Sequence, residues 1–104
     1  MADQKKIERL SGAQIAERVA SVPDWVLGEG GVLGEGVISR ELEFGNFRES
    51  MTFVESVAKL AEEHDHHPDI FISYNHVRLD LSTHAAGGLT EKDFALAQAI
   101  DYLL

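Results

Sequence analysis

The chain has 104 residues, nine Lys and Arg against 18 Asp and Glu, a formal net charge of −9 and no cysteine. A chain of this length has material for one core that buries roughly 60–70% of the unfolded surface, so a single small soluble domain over 1–104 is expected. The negative charge disfavours phosphate backbones and anionic bilayers, and the lack of cysteine excludes Cys-based zinc sites, thiol nucleophiles and disulfides.

The first residues, Met1-Ala2-Asp3-Gln4-Lys5-Lys6-Ile7, are charged and contain no apolar targeting core. No run approaches the ~20 apolar residues of a membrane span, and a cytoplasmic location is expected. Ser11-Gly12-Ala13-Gln14 pairs a capping hydroxyl with an acceptor three residues on, between Leu10 and Ile15, and predicts a helix from about Ser11 to Ser21, stopped by Pro23. A short strand at Trp25–Leu27 can pair, across the glycine-rich stretch 28–36, with the alternating segment Ile38–Phe44, where Arg40 is the one charged residue on an otherwise apolar face. That stretch has Leu33 where a Gly-x-Gly-x-x-Gly cradle needs glycine, and it carries Glu29 and Glu35 but no lysine. A hairpin loop is therefore expected rather than a phosphate site.

Asn46-Phe47-Arg48-Glu49 predicts the start of the longest helix, with Phe47, Met51, Val54, Val57, Ala58 and Ala61 as its apolar stripe. Ile70–Tyr74 and Val77–Leu81 alternate on either side of a tight Tyr74-Asn75-His76 connection and predict a hairpin. Thr90-Glu91-Lys92-Asp93, between Leu89 and Phe94, opens a last helix with Phe94, Ala97, Ile100 and Leu104 on its apolar side. The order is αββαββα, an α+β fold in which a four-stranded antiparallel sheet carries its helices on one face. The other face is left to solvent or a partner subunit.

Three of the five histidines crowd Glu62-Glu63-His64-Asp65-His66-His67-Pro68. A single histidine at a helix end is an ordinary cap worth roughly 0.3–1 kcal/mol when protonated, but three before a proline are more than capping requires. Glu62 and His66 are i and i+4 on a helix, so the carboxylate is expected to hold that ring, while Pro68 biases His67 out of the helical region. A second element is Ser82-Thr83-His84, followed by the Gly87-Gly88 turn into the last helix. Its plain structural roles are a strand-end residue and a turn. Together His66, His67, His84, Glu62 and Asp93 suit acid–base work. A metal site is the rival, but no His-Glu-x-x-His helix or other standard ligand spacing is present. Asp93 also suits a purely structural role as the third residue of a capping box.

Glu62-x-x-x-His66-His67-Pro68, Tyr74 six residues beyond the proline, Ser82-Thr83-His84, Gly88-Leu89-Thr90 and Asp93 resemble the signature of the pterin-4a-carbinolamine dehydratases. The likeness extends to Trp25, Ile38-x-Arg40-x-x-x-Phe44 and Asn46-Phe47. It implies removal of water from 4a-hydroxytetrahydrobiopterin to give the quinonoid dihydropterin in tetrahydrobiopterin recycling, with no cofactor and no metal. It implies catalytic roles for His66, His67 and His84 supported by Glu62 and Asp93, and a pterin site bordered by Trp25, Tyr74, Pro68 and Thr83. Asp65 stands where many members carry Asn, and His64 and His76 fall outside the motif. The family's dimers and tetramers imply a homodimer or homotetramer. A non-catalytic binding or coactivator module, or a pterin-related role in molybdopterin metabolism, is the alternative.

Overall fold

The structure is a computed structural model that describes residues 7–28 and 36–104. The described elements include α1 (Gly12–Val19), β1 (Val26–Leu27), β2 (Ile38–Glu43), α2 (Phe47–His64), β3 (Asp69–Ser73), β4 (His76–Leu81), a 3-10 turn (His84–Ala86) and α3 (Glu91–Asp101). The four strands form one antiparallel sheet in the order β1-β2-β4-β3. This is the expected α+β arrangement. Most of the glycine-rich stretch lies outside the described residues, but Gly28 N–H donates to the Val37 carbonyl at 2.8 Å, so β1 and β2 are antiparallel neighbours as expected.

All three helix starts carry the caps written in the sequence. Ser11 Oγ accepts from Gln14 N–H while Gln14 Oε1 accepts from Ser11 N–H, and Asn46 Oδ1 accepts from Glu49 N–H at 2.9 Å. Leu10 and Ile15 are buried on either side of the first cap, the hydrophobic half of the same device. α1 ends at Val19, two residues before the predicted Ser21, because Ser21 and Val22 instead bond back to Arg18 and Val19 in turns. Arg18 also reaches α3, where its Nε donates to Glu91 at 3.0 and 3.1 Å and holds that carboxyl below its ordinary pKa.

Period-two alternation sets the core. Ile38 of β2 and Val77, Leu79 and Leu81 of β4 are buried on one face of the sheet, opposite Phe53 and Val57 of α2 and Phe94, Ala97 and Ile100 of α3. Two helix stripes differ from expectation. α2 buries Ser50, Phe53, Val57 and Ala61, while Phe47 is 50% exposed, Ala58 is exposed and Met51 and Val54 are only partly covered. Phe53 wins the inward position through its contact with Phe44, ring centroids 5.1 Å apart. α3 adds Leu96 to its buried side and ends at Asp101, leaving Leu104 exposed beyond it.

Arg40, on the inward face of β2, is neutralised within the fold. Its Nη1 donates to Asp101 Oδ1 at 2.6 Å, and Trp25 Nε1, on a ring only 3% exposed, donates to the same oxygen at 2.8 Å. At the other end of the sheet, Ser73 pairs with His76 around the Tyr74-Asn75 turn, and Tyr74 adopts the left-handed conformation (φ 53°). Asn75 clamps this tip to the end of β2, donating from Nδ2 to the Phe44 carbonyl at 3.0 Å while its own carbonyl accepts from Phe44 N–H at 2.8 Å.

Candidate active site

The end of α2 creates the site. Helical backbone stops at His64, and Asp65 takes a left-handed conformation (φ 50°) whose N–H bonds back to the carbonyls of Ala61 and Glu62. His66 N–H follows, bonding to the Ala61 carbonyl at 3.0 Å. The chain therefore reverses before His66, and the i, i+4 relation between Glu62 and His66 no longer applies. His66 turns inward, 9% exposed, and places Nε2 2.6 Å from Asp93 Oδ1 of α3. The ring held by Glu62 is His67, Nε2 to Oε2 2.7 Å, not His66 as helical spacing predicts.

Asp93 is fully buried and carries more than a cap. Its Oδ2 accepts from Thr90 N–H at 2.9 Å and from Thr83 Oγ1 at 2.7 Å, while Oδ1 faces His66. The structural and functional readings of this residue thus coincide, since one carboxylate closes the capping box and holds the imidazole. The proton inventory is closed. Lys92 N–H donates to Thr90 Oγ1 at 3.2 Å, the Thr90 hydroxyl proton goes to Thr83 Oγ1 at 2.8 Å, and the Thr83 proton goes to Asp93. An ionised carboxylate only accepts, so the His66 nitrogen facing it carries a proton and Nδ1 is the ring atom left for chemistry. The same logic assigns a proton to His67 Nε2 beside Glu62 and leaves its Nδ1 available.

Sheet register brings the second histidine element alongside. Asp69 of β3 stands opposite Asp80 of β4, so the His66–Pro68 segment entering β3 and the Ser82–His84 segment leaving β4 occupy the same end of the sheet. Thr83 is buried on Asp93, and His84, the next residue, is exposed at the start of the 3-10 turn. Pro68 is half-buried just before β3. The remaining two expected ring-bordering residues are not brought to this cluster within one chain. Trp25 is held at Asp101, about 12 Å along α3 from Asp93 at 1.5 Å per residue. Tyr74 is 64% exposed at the opposite end of β4 from Thr83, roughly 20 Å along the strand.

Ser82 precedes Thr83 where the chain leaves β4. Ser82 Oγ is buried without a hydrogen-bond partner among the described residues. In the sequence it is the first residue of the Ser82-Thr83-His84 element. An unpartnered buried hydroxyl costs about 1–3 kcal/mol, which a bound molecule can return.

The turn after His84 is built by close backbone approach. Gly87 is left-handed (φ 76°), Thr83 and Gly88 exchange backbone hydrogen bonds at 3.0 and 3.3 Å, and the Arg9 side chain lies across Gly88. A Cβ on Gly88 would stand 2.7 Å from Arg9 Cδ. Gly88→Ala is therefore expected to cost about 1–3 kcal/mol by urea denaturation, and adding Arg9→Ala should recover most of it. An equal loss in the double variant would show that the backbone, not the arginine, sets the constraint.

The described residues contain no group of three or more His, Cys, Asp or Glu side chains placed to hold a metal ion. No helix among them is long and apolar enough to cross a membrane. What these contacts define is a protein with two imidazoles, each held by its own carboxylate, at one end of a helix-backed antiparallel sheet. Residues 8–103 match the family model described as pterin 4 alpha carbinolamine dehydratase. The chain is 54% identical over 96 residues to a protein of Chloroflexus aurantiacus named "Putative pterin-4-alpha-carbinolamine dehydratase", covering 92% of this chain and 97% of that one. A protein of the same name from Thermomicrobium roseum is 49% identical over 92 residues, 88% of this chain and 92% of its own. Among solved structures, a transcriptional coactivator/pterin dehydratase from Brucella melitensis superposes with a TM-score of 0.83 at 30% identity, covering 92% of this chain and 98% of its own. A pterin dehydratase-like protein identified as a RuBisCO assembly factor in the alpha-carboxysome gives 0.61 at 25% identity, over 77% and 88%. The chain belongs to the pterin-4a-carbinolamine dehydratase family.

Proposed function

We propose that the protein catalyses loss of water from a 4a-hydroxytetrahydropterin, such as 4a-hydroxytetrahydrobiopterin, giving the quinonoid dihydropterin in tetrahydrobiopterin recycling. The observation that carries this reading is the buried His66–Asp93–Thr83 array beside the His67–Glu62 pair, one residue from His84. In the reaction the C4a–O bond breaks, the departing oxygen takes a proton and leaves as water, and the neighbouring ring nitrogen gives up its proton. Hydroxide leaves poorly at neutral pH, so a protonated imidazole aimed at the 4a-hydroxyl and a neutral one aimed at the nitrogen supply both transfers, worth about 10²–10⁴-fold. His66 and His84 are assigned to the hydroxyl, and His67 to holding the pterin or taking the second proton. Asp93 and Glu62 fix which nitrogen of His66 and His67 is free, Thr83 and Pro68 border the ring, and Ser82 Oγ gains its missing partner from a pterin heteroatom.

The chemistry needs only these side chains, so no cofactor is invoked, and the protein is read as cytoplasmic. β3 is an edge strand with Phe71 and Ile72 exposed, Tyr74 is exposed in the turn after it, and Phe47 stands 50% exposed on α2. These surfaces support a homodimer or homotetramer, and in such an assembly a partner's Tyr74 and the Trp25 region are the places to look for further pterin contacts. Light scattering decides the assembly. Formation of quinonoid dihydropterin from synthetic carbinolamine tests the activity. Turnover unchanged after chelator treatment is expected. Turnover restored only by zinc would replace this mechanism with a metal site, and no turnover with an intact fold would favour a binding or coactivator module.

A further inference from the structure

Lys92 breaks a local rule. A cation at the second position of α3 opposes the positive end of that helix's dipole, yet the half-buried side chain is not turned away from it into solvent. Its Nζ crosses to the Asp65 carbonyl at 3.1 Å, at the negative C-terminal end of α2, where a cation is favourable. Adjacent side chains of α3 therefore grip adjacent residues of the chain reversal, Lys92 on the Asp65 backbone and Asp93 on the His66 ring. The corner they hold is under strain, because Asp65 carries a Cβ in the left-handed region (φ 50°). His66 and His67 leave this corner in different directions, one to Asp93 and the other to Glu62, so its backbone sets the relative aim of the two rings.

We propose that Lys92 is a positioning residue for the histidine pair: its ammonium pins the Asp65 carbonyl and so fixes His67 relative to the Asp93-bound His66. The inference rests on the dehydratase reading. It predicts that Lys92→Met, assayed per folded molecule, lowers kcat roughly fivefold to twentyfold with KM within about twofold, since a misplacement of about 1 Å can cost about 10²-fold. Lys92→Arg, which can still donate to the carbonyl, should restore most of kcat. An active wild type whose Lys92→Met variant keeps full kcat overturns this inference alone, as does a loss that Lys92→Arg fails to restore or one accounted for by the unfolded fraction. A folded wild type without turnover overturns the dehydratase reading and this inference with it.

Discussion

Asp93→Ala is expected to lower the unfolding free energy by about 3–5 kcal/mol, a drop of more than about 12 °C in Tm for a domain of this size, and to abolish turnover. The carboxylate is fully buried and accepts three hydrogen bonds, from His66 Nε2, Thr83 Oγ1 and Thr90 N–H. Deleting it strands three donors at once, in a place water does not reach, and a single unsatisfied buried group already costs about 1–3 kcal/mol. Asp93→Asn keeps the volume but turns an acceptor into an NH₂ that must face one of those donors, so about 2–3 kcal/mol of the loss should remain. Urea unfolding of the two variants measures both values. A cost below about 1 kcal/mol for the alanine variant would show that the array is not a connected network.

The second large effect separates chemistry from stability. His67 and His84 are exposed, and the His67–Glu62 contact is an exposed pair of the kind that contributes about 0–1 kcal/mol. His67→Ala and His84→Ala should therefore each reduce kcat/KM by about 10²–10⁴-fold while leaving stability within about 0.5–1 kcal/mol of wild type. His66→Ala should lose both, because its ring is buried on Asp93. The double variant His67→Ala/His84→Ala should fall far short of the product of the single losses if the rings act as one unit. His64→Ala and His76→Ala serve as controls near wild-type rate. A His84→Ala variant with normal turnover would remove the second histidine element from the mechanism.

The strands, the helix starts and the hairpin were legible because they are local, whereas the central pairing of β2 with β4 joins residues 33 to 43 positions apart. Ser11, Asn46 and Thr90 cap through atoms three residues away, and alternation along Val77–Leu81 dictates a face without reference to the rest of the chain. The α2 stripe was only half legible. Its pattern contains two apolar rows, and which one is buried depends on Phe44 meeting Phe53 from another element. In the site, the residue types and their two stretches were readable, but their pairing was not. Helical periodicity gave Glu62 to His66, whereas one left-handed residue, Asp65, reverses the chain and exchanges the partners. The dual role of Asp93 was likewise invisible from spacing, because a capping box and a histidine partner ask for the same carboxylate. The Arg40–Asp101–Trp25 contact joins residues 61 and 76 positions apart, and nothing local announces it.

In the proposed mechanism, imidazoles from two separate stretches address one pterin. Ring-nitrogen NMR correlation spectra, recorded while titrating the protein with a dihydropterin, test it most directly. The His66, His67 and His84 resonances are expected to move together along one saturation curve while those of His64 and His76 stay still. Movement of the His66 and His67 signals with His84 unaffected, or of His84 alone, would contradict it.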